Sequence, residues 1–197
     1  MRYFVFVALL VSIVSCKKKV SSIKELQSYV FDSENGLHKV KNRKDLKLEA
    51  FYRPRALVLE QQLKGVSDKD EAARVKQMVD SLDYFVLHIS RDDHELERDY
   101  ASNPTDQYEV QRYLSQGIVD DLAIITDNEI FRPIDIAYIP TFGASSATSV
   151  LVVFGGRVSE RSGDLKFCFH DTRFGTGMHE FLFKTDDIRD IPILNLN

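Results

Sequence analysis

The sequence contains no tryptophan and only two cysteines in 197 residues. Two cysteines can form at most one disulfide, and they exclude the multi-cysteine spacings of structural zinc sites. Beyond the N-terminal region, no apolar run approaches the roughly 20 residues that a membrane-spanning helix needs. Acidic residues outnumber basic residues by 30 to 26. The chain therefore lacks the basic excess that nucleic-acid binding requires.

The N-terminus carries a short apolar run, Phe4 to Val14, which follows Arg2. A run of this length is too short to span a bilayer but fits the apolar region of a secretory signal peptide. The run ends at Ile13-Val14-Ser15-Cys16, which resembles the lipobox of bacterial lipoproteins. A plain signal peptide with an unrelated cysteine is the alternative. We expect residues 1–15 to be removed and Cys16 to become a lipid attachment site.

Acyl chains on Cys16 would hold the chain at a membrane, since each buried CH₂ group contributes about 0.8 kcal/mol. Three lysines, 17–19, follow the cysteine and can lie against anionic headgroups. An aspartate directly after the acylated cysteine would favour inner-membrane retention. Lys17 occupies that position, so the sequence favours the outer membrane of a bacterial cell envelope. Residues 16–21 are predicted to form a flexible tether, and residues 22–197 a single soluble domain.

The first half of this domain shows helical patterns. Ser22 and Glu25 form a capping-box pattern that predicts a helix over 23–31. Pro54 favours a helix start, and Ala56, Leu59 and Leu63 would lie on one face of that helix. Two further helices are expected. One begins at Ser67, which can cap it, and the other begins at Asn103-Pro104.

Strand patterns dominate after Gly117. Five apolar segments separated by turn residues are expected to be strands: VDDLAIIT, IDIAYI, SVLVVF, DLKFCFH and HEFLFK. Earlier in the chain, HKVKN and DLKLEAFY are predicted to pair as a hairpin, and DYFVLHIS to form a further strand. The sequence therefore predicts an α+β fold. Short helices concentrate in the N-terminal half, and an antiparallel, β-rich C-terminal half fits a sandwich.

Cys168 and His170 are the first candidates for chemistry. They are two positions apart on a predicted strand and therefore share a face. A cysteine beside a histidine can act as a thiolate nucleophile. Neighbours at this spacing are about 6.5 Å apart along the strand, which is too far for a direct hydrogen bond. A packed cysteine and a histidine at the strand end form the alternative.

A metal site is the second candidate. His170 and His179 flank the turn that contains the sequence FGTG, with Asp171 and Glu180 beside them. Two histidines and two carboxylates could hold zinc if the hairpin brought them together. A hairpin with mixed polar ends is the alternative, and we assign no cofactor. An acidic run from Asp92 to Asp99 could bind calcium, but such a run is more typical of a solvated surface.

Several short motifs accompany the lipobox. They are Glu34-Asn35-Gly36-Leu37, Tyr52-Arg53-Pro54 and Phe174-Gly-Thr-Gly177. Together with the lipobox, they resemble a family of uncharacterised bacterial lipoproteins. The resemblance covers most of the chain after Cys16. It implies a lipid-anchored, one-domain protein, and it implies no catalytic residues.

The sequence thus favours a lipid-anchored envelope protein that binds or scaffolds another envelope protein and is not an enzyme. A metal- or thiol-dependent hydrolase that uses Cys168, His170 and His179 is one alternative. A carrier of a lipid or a small apolar ligand is another, and it would require a sizeable apolar cavity. The expected partners are the membrane, through Cys16, and an envelope protein, but not nucleic acid.

Overall fold

The computed structural model describes residues 18–127, 129–141, 144–161 and 163–195. The signal peptide, the lipobox and Cys16 therefore lie outside the described residues. The described helices are α1 (Ile23–Phe31), α2 (Arg55–Gln62), α3 (Lys69–Asp80), α4 (Pro104–Ser115) and α5 (Thr185–Arg189). The described strands are β1 (Lys19–Val20), β2 (His38–Arg43), β3 (Leu46–Tyr52), β4 (Leu82–Arg91), β5 (His94–Glu95), β6 (Leu122–Ile125), β7 (Ile130–Phe131), β8 (Asp135–Tyr138), β9 (Thr148–Gly155), β10 (Leu165–Asp171), β11 (Gly177–Phe183) and β12 (Ile193–Leu194). The predicted α+β fold with a strand-rich C-terminal half is confirmed.

Two antiparallel sheets form a sandwich. The larger sheet has the strand order β2-β3-β4-β9-β8, with β5 paired to β4. The smaller sheet has the order β11-β10-β6-β7. Strands β8 and β9 come from the C-terminal half, yet they extend a sheet that begins with β2, β3 and β4. The larger sheet therefore unites both halves of the chain.

The core lies between the two sheets and is rich in phenylalanine. Phe85 on β4 stacks on Phe167 of β10, with ring centroids 5.3 Å apart. It also makes edge contacts with Phe154 at 5.8 Å and with Phe183 at 5.3 Å. All four side chains are fully buried. Because aromatic pairs in these geometries add to the stability gained from burial, this group links the two sheets directly.

The helices begin largely where the sequence predicts. The capping box is present in part: the Ser22 hydroxyl accepts a hydrogen bond from the Glu25 N–H at 3.2 Å, and the Glu25 carboxylate accepts one from the Ser21 N–H at 2.8 Å. Helix α3 is capped by Asp68 rather than by the predicted Ser67. An aspartate is an equally good cap, and it stands one position nearer the first turn.

Helices α2 and α3 pack on the outer face of the larger sheet. Val58 and Val79 contact Tyr84 and Val153 there. The buried residues of α2 are Leu57 and Val58, while Leu59 from the predicted face is partly buried and packs against the same cluster. In a helix of only eight residues, the stripe pattern is too short to fix which side faces the sheet.

The two ends of the described chain meet in a third, parallel sheet of β1 and β12. The Ile193 N–H donates to the Lys18 carbonyl at 3.0 Å, and the Asn195 N–H donates to the Val20 carbonyl at 2.9 Å. The sequence predicted a flexible tether over 16–21. At Lys19 and Val20 the structure has a paired strand instead, and its partner lies far along the chain, where no local pattern could reveal it.

Candidate functional site

The structure divides the predicted metal ligands between the two faces of the β10–β11 hairpin. Phe169 pairs with His179, while His170 pairs with Met178 and Cys168 pairs with Glu180. Opposite residues in an antiparallel pair share a face. His179 and Asp171 are therefore buried on the core side, whereas His170 and Glu180 are exposed on the other side. Among the described residues, no group of three or more His, Cys, Asp or Glu side chains is placed to hold a metal ion.

Asp171 organises the turn that follows it. Its carboxylate accepts backbone N–H groups from Arg173 at 3.0 Å, Phe174 at 2.6 Å and Thr176 at 2.7 Å, and it also accepts the Thr176 hydroxyl. Gly175 and Gly177 have backbone φ angles of +76° and +77°, which residues other than glycine rarely adopt. The FGTG sequence therefore serves a tight turn closed by a buried carboxylate.

His179 supports the same turn from β11. Its Nε2 lies 2.8 Å from the Thr176 hydroxyl oxygen. Burial lowers the pKa of His179, and the nearby cations Lys41 and Arg43 lower it further, although Asp171 opposes them. The neutral imidazole can donate its Nε2 proton to Thr176, whose own proton goes to Asp171. His179 thus has a structural partner in the described protein.

Cys168 is placed as a packed residue. The predicted shared face with His170 is present, but the thiol is only 3% exposed. Burial raises the pKa of this thiol, and the Glu180 carboxylate on the adjacent strand raises it further. A thiol with a raised pKa is protonated at neutral pH and is a poor nucleophile. This arrangement gives no support to the thiol chemistry considered from the sequence.

A buried ionic network around Asp83 was not predicted from the sequence. The Asp83 carboxylate is fully buried. It accepts hydrogen bonds from the Tyr52 hydroxyl at 2.9 Å, from Arg55 Nη2 at 2.9 Å, and from both the N–H and the hydroxyl of Ser159 at 2.7 Å. Arg55 also donates to the Leu82 carbonyl at 2.7 Å. The network joins β3, β4, α2 and the 3₁₀ turn at 158–160.

The electrostatics of this network favour a permanent ion pair. Burial lowers the pKa of Arg55, but Tyr52, Asp83 and Glu160 raise it by more, so the guanidinium stays charged. Burial and the Asp83 charge raise the pKa of Tyr52 well above its usual value, so the phenol keeps its proton and donates. The Asp83 carboxylate is fully buried, with three donors on one oxygen and the Ser159 N–H on the other, so it is held in place inside the protein. The network is therefore structural.

A surface pocket of about 320 Å³ lies beside this network. Its walls contain the following residues: Tyr52, Arg55, Ser159, Glu160, Ile188, Arg189 and Ile191. The polar groups at its floor are engaged with Asp83 and with each other.

Two acidic residues of the run that starts at Asp92 are buried rather than solvated. Glu95 is 1% exposed and Glu97 is 6% exposed. Glu97 accepts hydrogen bonds from the hydroxyls of Tyr138 and Thr148, and Glu95 accepts one from Thr141. The predicted solvated surface is thus wrong for these two residues. The hydroxyl donors lie more than 40 residues further along the chain, so the local sequence gave no sign of them.

Another pocket, of about 350 Å³, lies between the C-terminal half of α4 and the turn after β10. Arg112 lines it from α4, Gln116 lines it from the position just after that helix, and Arg173 lines it from the turn. Arg173 Nη2 is 3.3 Å from a carboxylate oxygen of Glu109, which also lines the pocket. An exposed pair of this kind contributes little stability. The pocket carries charges of both signs, and its geometry selects no ligand class.

The outer face of the smaller sheet exposes apolar side chains. Leu182, Lys166, Ile125 and Ile130 pair in one row across the four strands and therefore share this face. Leu182 is 46% exposed and Ile130 is 65% exposed, and Met178 on the same side of β11 is 56% exposed. We call these four apolar residues (Ile125, Ile130, Met178 and Leu182) the apolar face. With strands about 4.8 Å apart, the row spans roughly 14 Å.

Comparison with known proteins adds no relative, because no family model, no curated protein and no solved structure matches this chain. Within the part of the chain that the structure describes, no helix is long and apolar enough to cross a membrane.

Proposed function

We propose that this chain is a lipid-anchored protein of the bacterial cell envelope, favouring the outer membrane, and that its folded domain binds another envelope protein. In this proposal Cys16 carries the acyl chains, and the domain acts as a binding or scaffolding module rather than as an enzyme. The apolar face of the smaller sheet is the observation that carries the proposal. Apolar side chains exposed together on a soluble protein are characteristic of interaction surfaces.

The composition of this face supports a protein partner. Lys166 lies between Leu182 and Ile125 in the row, and Glu180 lies between Met178 and Leu182 on β11, so polar and apolar side chains are interspersed on this face. Protein interfaces commonly combine apolar contacts with hydrogen bonds. The partner that fits is therefore a protein whose surface offers both apolar and polar contacts.

The other two functions receive less support from the geometry. The hydrolase proposal needs Cys168, His170 and His179 to converge, whereas Cys168 is buried and the two histidines lie on opposite faces. The carrier proposal needs a sizeable apolar cavity. The pockets beside α4 and Arg55 are instead lined largely by charged and polar residues.

The anchor can be tested by mass spectrometry of the N-terminal peptide from membranes. We expect diacylglycerol and acyl chains on Cys16, and we expect a Cys16→Ala variant to leave the membrane fraction. An unmodified Cys16 in a membrane-free protein would overturn the anchor.

The binding surface can be tested by crosslinking in native envelopes. We expect a stoichiometric partner that is lost when Ile130→Asp and Leu182→Asp are combined. Val40→Asp is the matched control, because Val40 is 48% exposed and lies on the opposite sheet. Loss of the partner in the control as well, or its retention in the double variant, would remove the apolar face from the proposal.

A further inference from the structure

Strand β2 carries an unusual concentration of positive charge for an acidic chain. Lys39, Lys41 and Arg43 alternate along the strand, and Lys44 follows in the turn. Alternate residues of a strand point to the same side at a spacing of about 6.7 Å. These four residues, here called the basic seam, lie within six positions of a chain whose net charge is −4.

The seam runs along the open side of the sandwich, where β2 and β11 form neighbouring edges of the two sheets. Lys39 Nζ is 5.9 Å from the centre of the Phe183 ring, and Lys41 Nζ is 5.4 Å from the centre of the Phe181 ring. Lys44 Nζ donates to the Gly175 carbonyl at 2.5 Å. Cation–π contacts hold the Lys39 and Lys41 amines beside β11, and the hydrogen bond holds the Lys44 amine beside the turn that precedes it.

No carboxylate of the described residues forms an ion pair with any of the four cations. The nearest acidic residues in the chain have other partners. Asp45 pairs with Arg91 at 2.7 Å, and Glu49 pairs with His38 and Lys47, each at 3.1 Å. The four cations of the seam are therefore not held in ion pairs by carboxylates of the described residues.

The seam begins close to the segment that leads to Cys16. Gly36, just before β2, lies against α5: a Cβ added there would be 2.7 Å from Cγ of Asp187. Helix α5 leads into β12, which pairs with β1. Lys19 follows Cys16 by three positions in the sequence, and a chain of that length reaches about 10 Å at most. An anchor at Cys16 would thus hold this part of the domain close to the lipid surface.

We propose that the basic seam binds the anionic headgroups of the membrane to which the chain is anchored. The ligand chemistry is a surface of phosphate-bearing lipids, and the four cations provide a row of contacts that orients the domain. The inference rests on the proposed anchor at Cys16. Lysines on an edge strand also discourage unwanted strand pairing, but that role alone predicts no preference for anionic lipid.

The test uses the chain from residue 16 to 197 with Cys16→Ser, which retains every described contact and has no lipid of its own. Its binding is measured by co-sedimentation with vesicles of phosphatidylcholine alone and of phosphatidylcholine with about one third phosphatidylglycerol. We expect binding to the anionic vesicles to be at least about tenfold tighter, and to weaken as salt rises from roughly 0.05 to 0.5 M. Equal binding to both vesicle types would overturn the proposal.

The decisive variant combines Lys41→Gln with Arg43→Gln, which removes two charges and keeps the polar side chains. We expect it to bind anionic vesicles at least about tenfold more weakly. The matched control is Lys69→Gln with Lys76→Gln on α3, which packs on the opposite side of the larger sheet. The control should bind within about twofold of the parent chain, and an equal loss in both would show that only net charge matters.

Two further measurements distinguish this proposal from binding of a soluble phosphate ligand and from the proposed anchor at Cys16. Saturable binding of inorganic phosphate to the seam at sub-millimolar concentration would assign a soluble ligand and overturn the membrane surface. Because the vesicle assay uses an unacylated chain, it does not depend on modification of Cys16. Absence of lipid on Cys16 in cells would overturn the anchor, whereas loss of vesicle binding would overturn only the seam.

Discussion

Ser159 donates both its backbone N–H and its hydroxyl to the carboxylate of Asp83, at 2.7 Å in each case, across 76 positions of the chain. The two residues belong to different halves of the protein. Their contact ties the 3₁₀ turn after β9 to the beginning of β4, where Tyr52 and Arg55 complete the set of donors. Asp83 thus connects four separate segments of the chain through hydrogen bonds and one ion pair.

Removal of the Asp83 carboxylate should destabilise the protein strongly. Asp83→Ala leaves the Arg55 charge without its buried partner and leaves three further donors unpaired. We expect a loss of about 3–5 kcal/mol in the free energy of unfolding, measured by urea denaturation. Glu160→Gln is the matched control, since it removes an exposed partner of the same arginine and should cost less than about 1 kcal/mol. Equal losses would show that Asp83 is not the centre of the network.

Two features favour glycine at position 36: the positive φ angle of Gly36 and the close approach of the Asp187 side chain. Gly36 and Gly65 have φ angles of +70° and +82°, but only Gly36 faces another side chain, that of Asp187. We expect Gly65→Ala to cost about 1 kcal/mol from backbone strain alone, and Gly36→Ala to cost about 1 kcal/mol more. The added Asp187→Ala substitution should return the Gly36→Ala protein to the Gly65→Ala value in urea denaturation. A Gly36→Ala cost equal to that of Gly65→Ala would contradict the contact.

The stability of the protein should fall in mildly acidic solution partly because of two histidines. Burial lowers the pKa of both His88 and His179 below 6.5. The unfolded chain therefore binds protons first as the pH falls. Their contribution is complete above about pH 6.5 and is lost as the pH falls through the lowered folded-state values.

Urea midpoints measured at about pH 7.5 and pH 5 test this prediction. The double variant His88→Gln, His179→Gln should lose less stability between the two conditions than the parent chain does. Each single variant should show an intermediate change. A double variant that follows the parent curve would mean that these histidines do not differ between the folded and unfolded states.

The Cys168 thiol should react slowly with alkylating reagents in the native protein. It is buried, and its pKa is raised by burial and by Glu180. In a Cys16→Ser background it is the only thiol. We expect iodoacetamide labelling at pH 8 to be at least ~100-fold slower than in concentrated urea. Fast labelling without denaturant would revive the nucleophile hypothesis.

Elements with a local signal could be predicted from the sequence. Helix α1 matches its predicted span because a capping box and an apolar stripe agree. Strands β10 and β11 were predicted because apolar and polar residues alternate between turn residues. The same alternation correctly placed Cys168 and His170 on one face. Local patterns decide such features because each depends on residues that are close in the chain.

Features that depend on distant partners could not be predicted. In the sequence, Asp83 is a polar residue at the start of a predicted strand, and no residue close to it in the chain indicates that Ser159 will bind its carboxylate. Glu95 and Glu97 lie in a charged run, and their burial depends on Tyr138, Thr141 and Thr148. The order of strands in the larger sheet likewise depends on pairing between β4 and β9, because many apolar strands could compete for the same neighbour.

The pairing of β1 with β12 has a mechanical consequence for an anchored protein. A force that pulls the domain away from a lipid held at Cys16 would load this pairing before any other part of the fold. The hydrogen bonds that resist it include those from the Ile193 N–H to the Lys18 carbonyl at 3.0 Å and from the Asn195 N–H to the Val20 carbonyl at 2.9 Å. When they part, residues 18–21 can extend by roughly 3.5 Å each, while Leu26 and Val30 keep α1 in the body of the domain. Separation of β1 from β12 would lengthen the segment between Cys16 and α1 under tension, and the two strands could pair again when the tension is released.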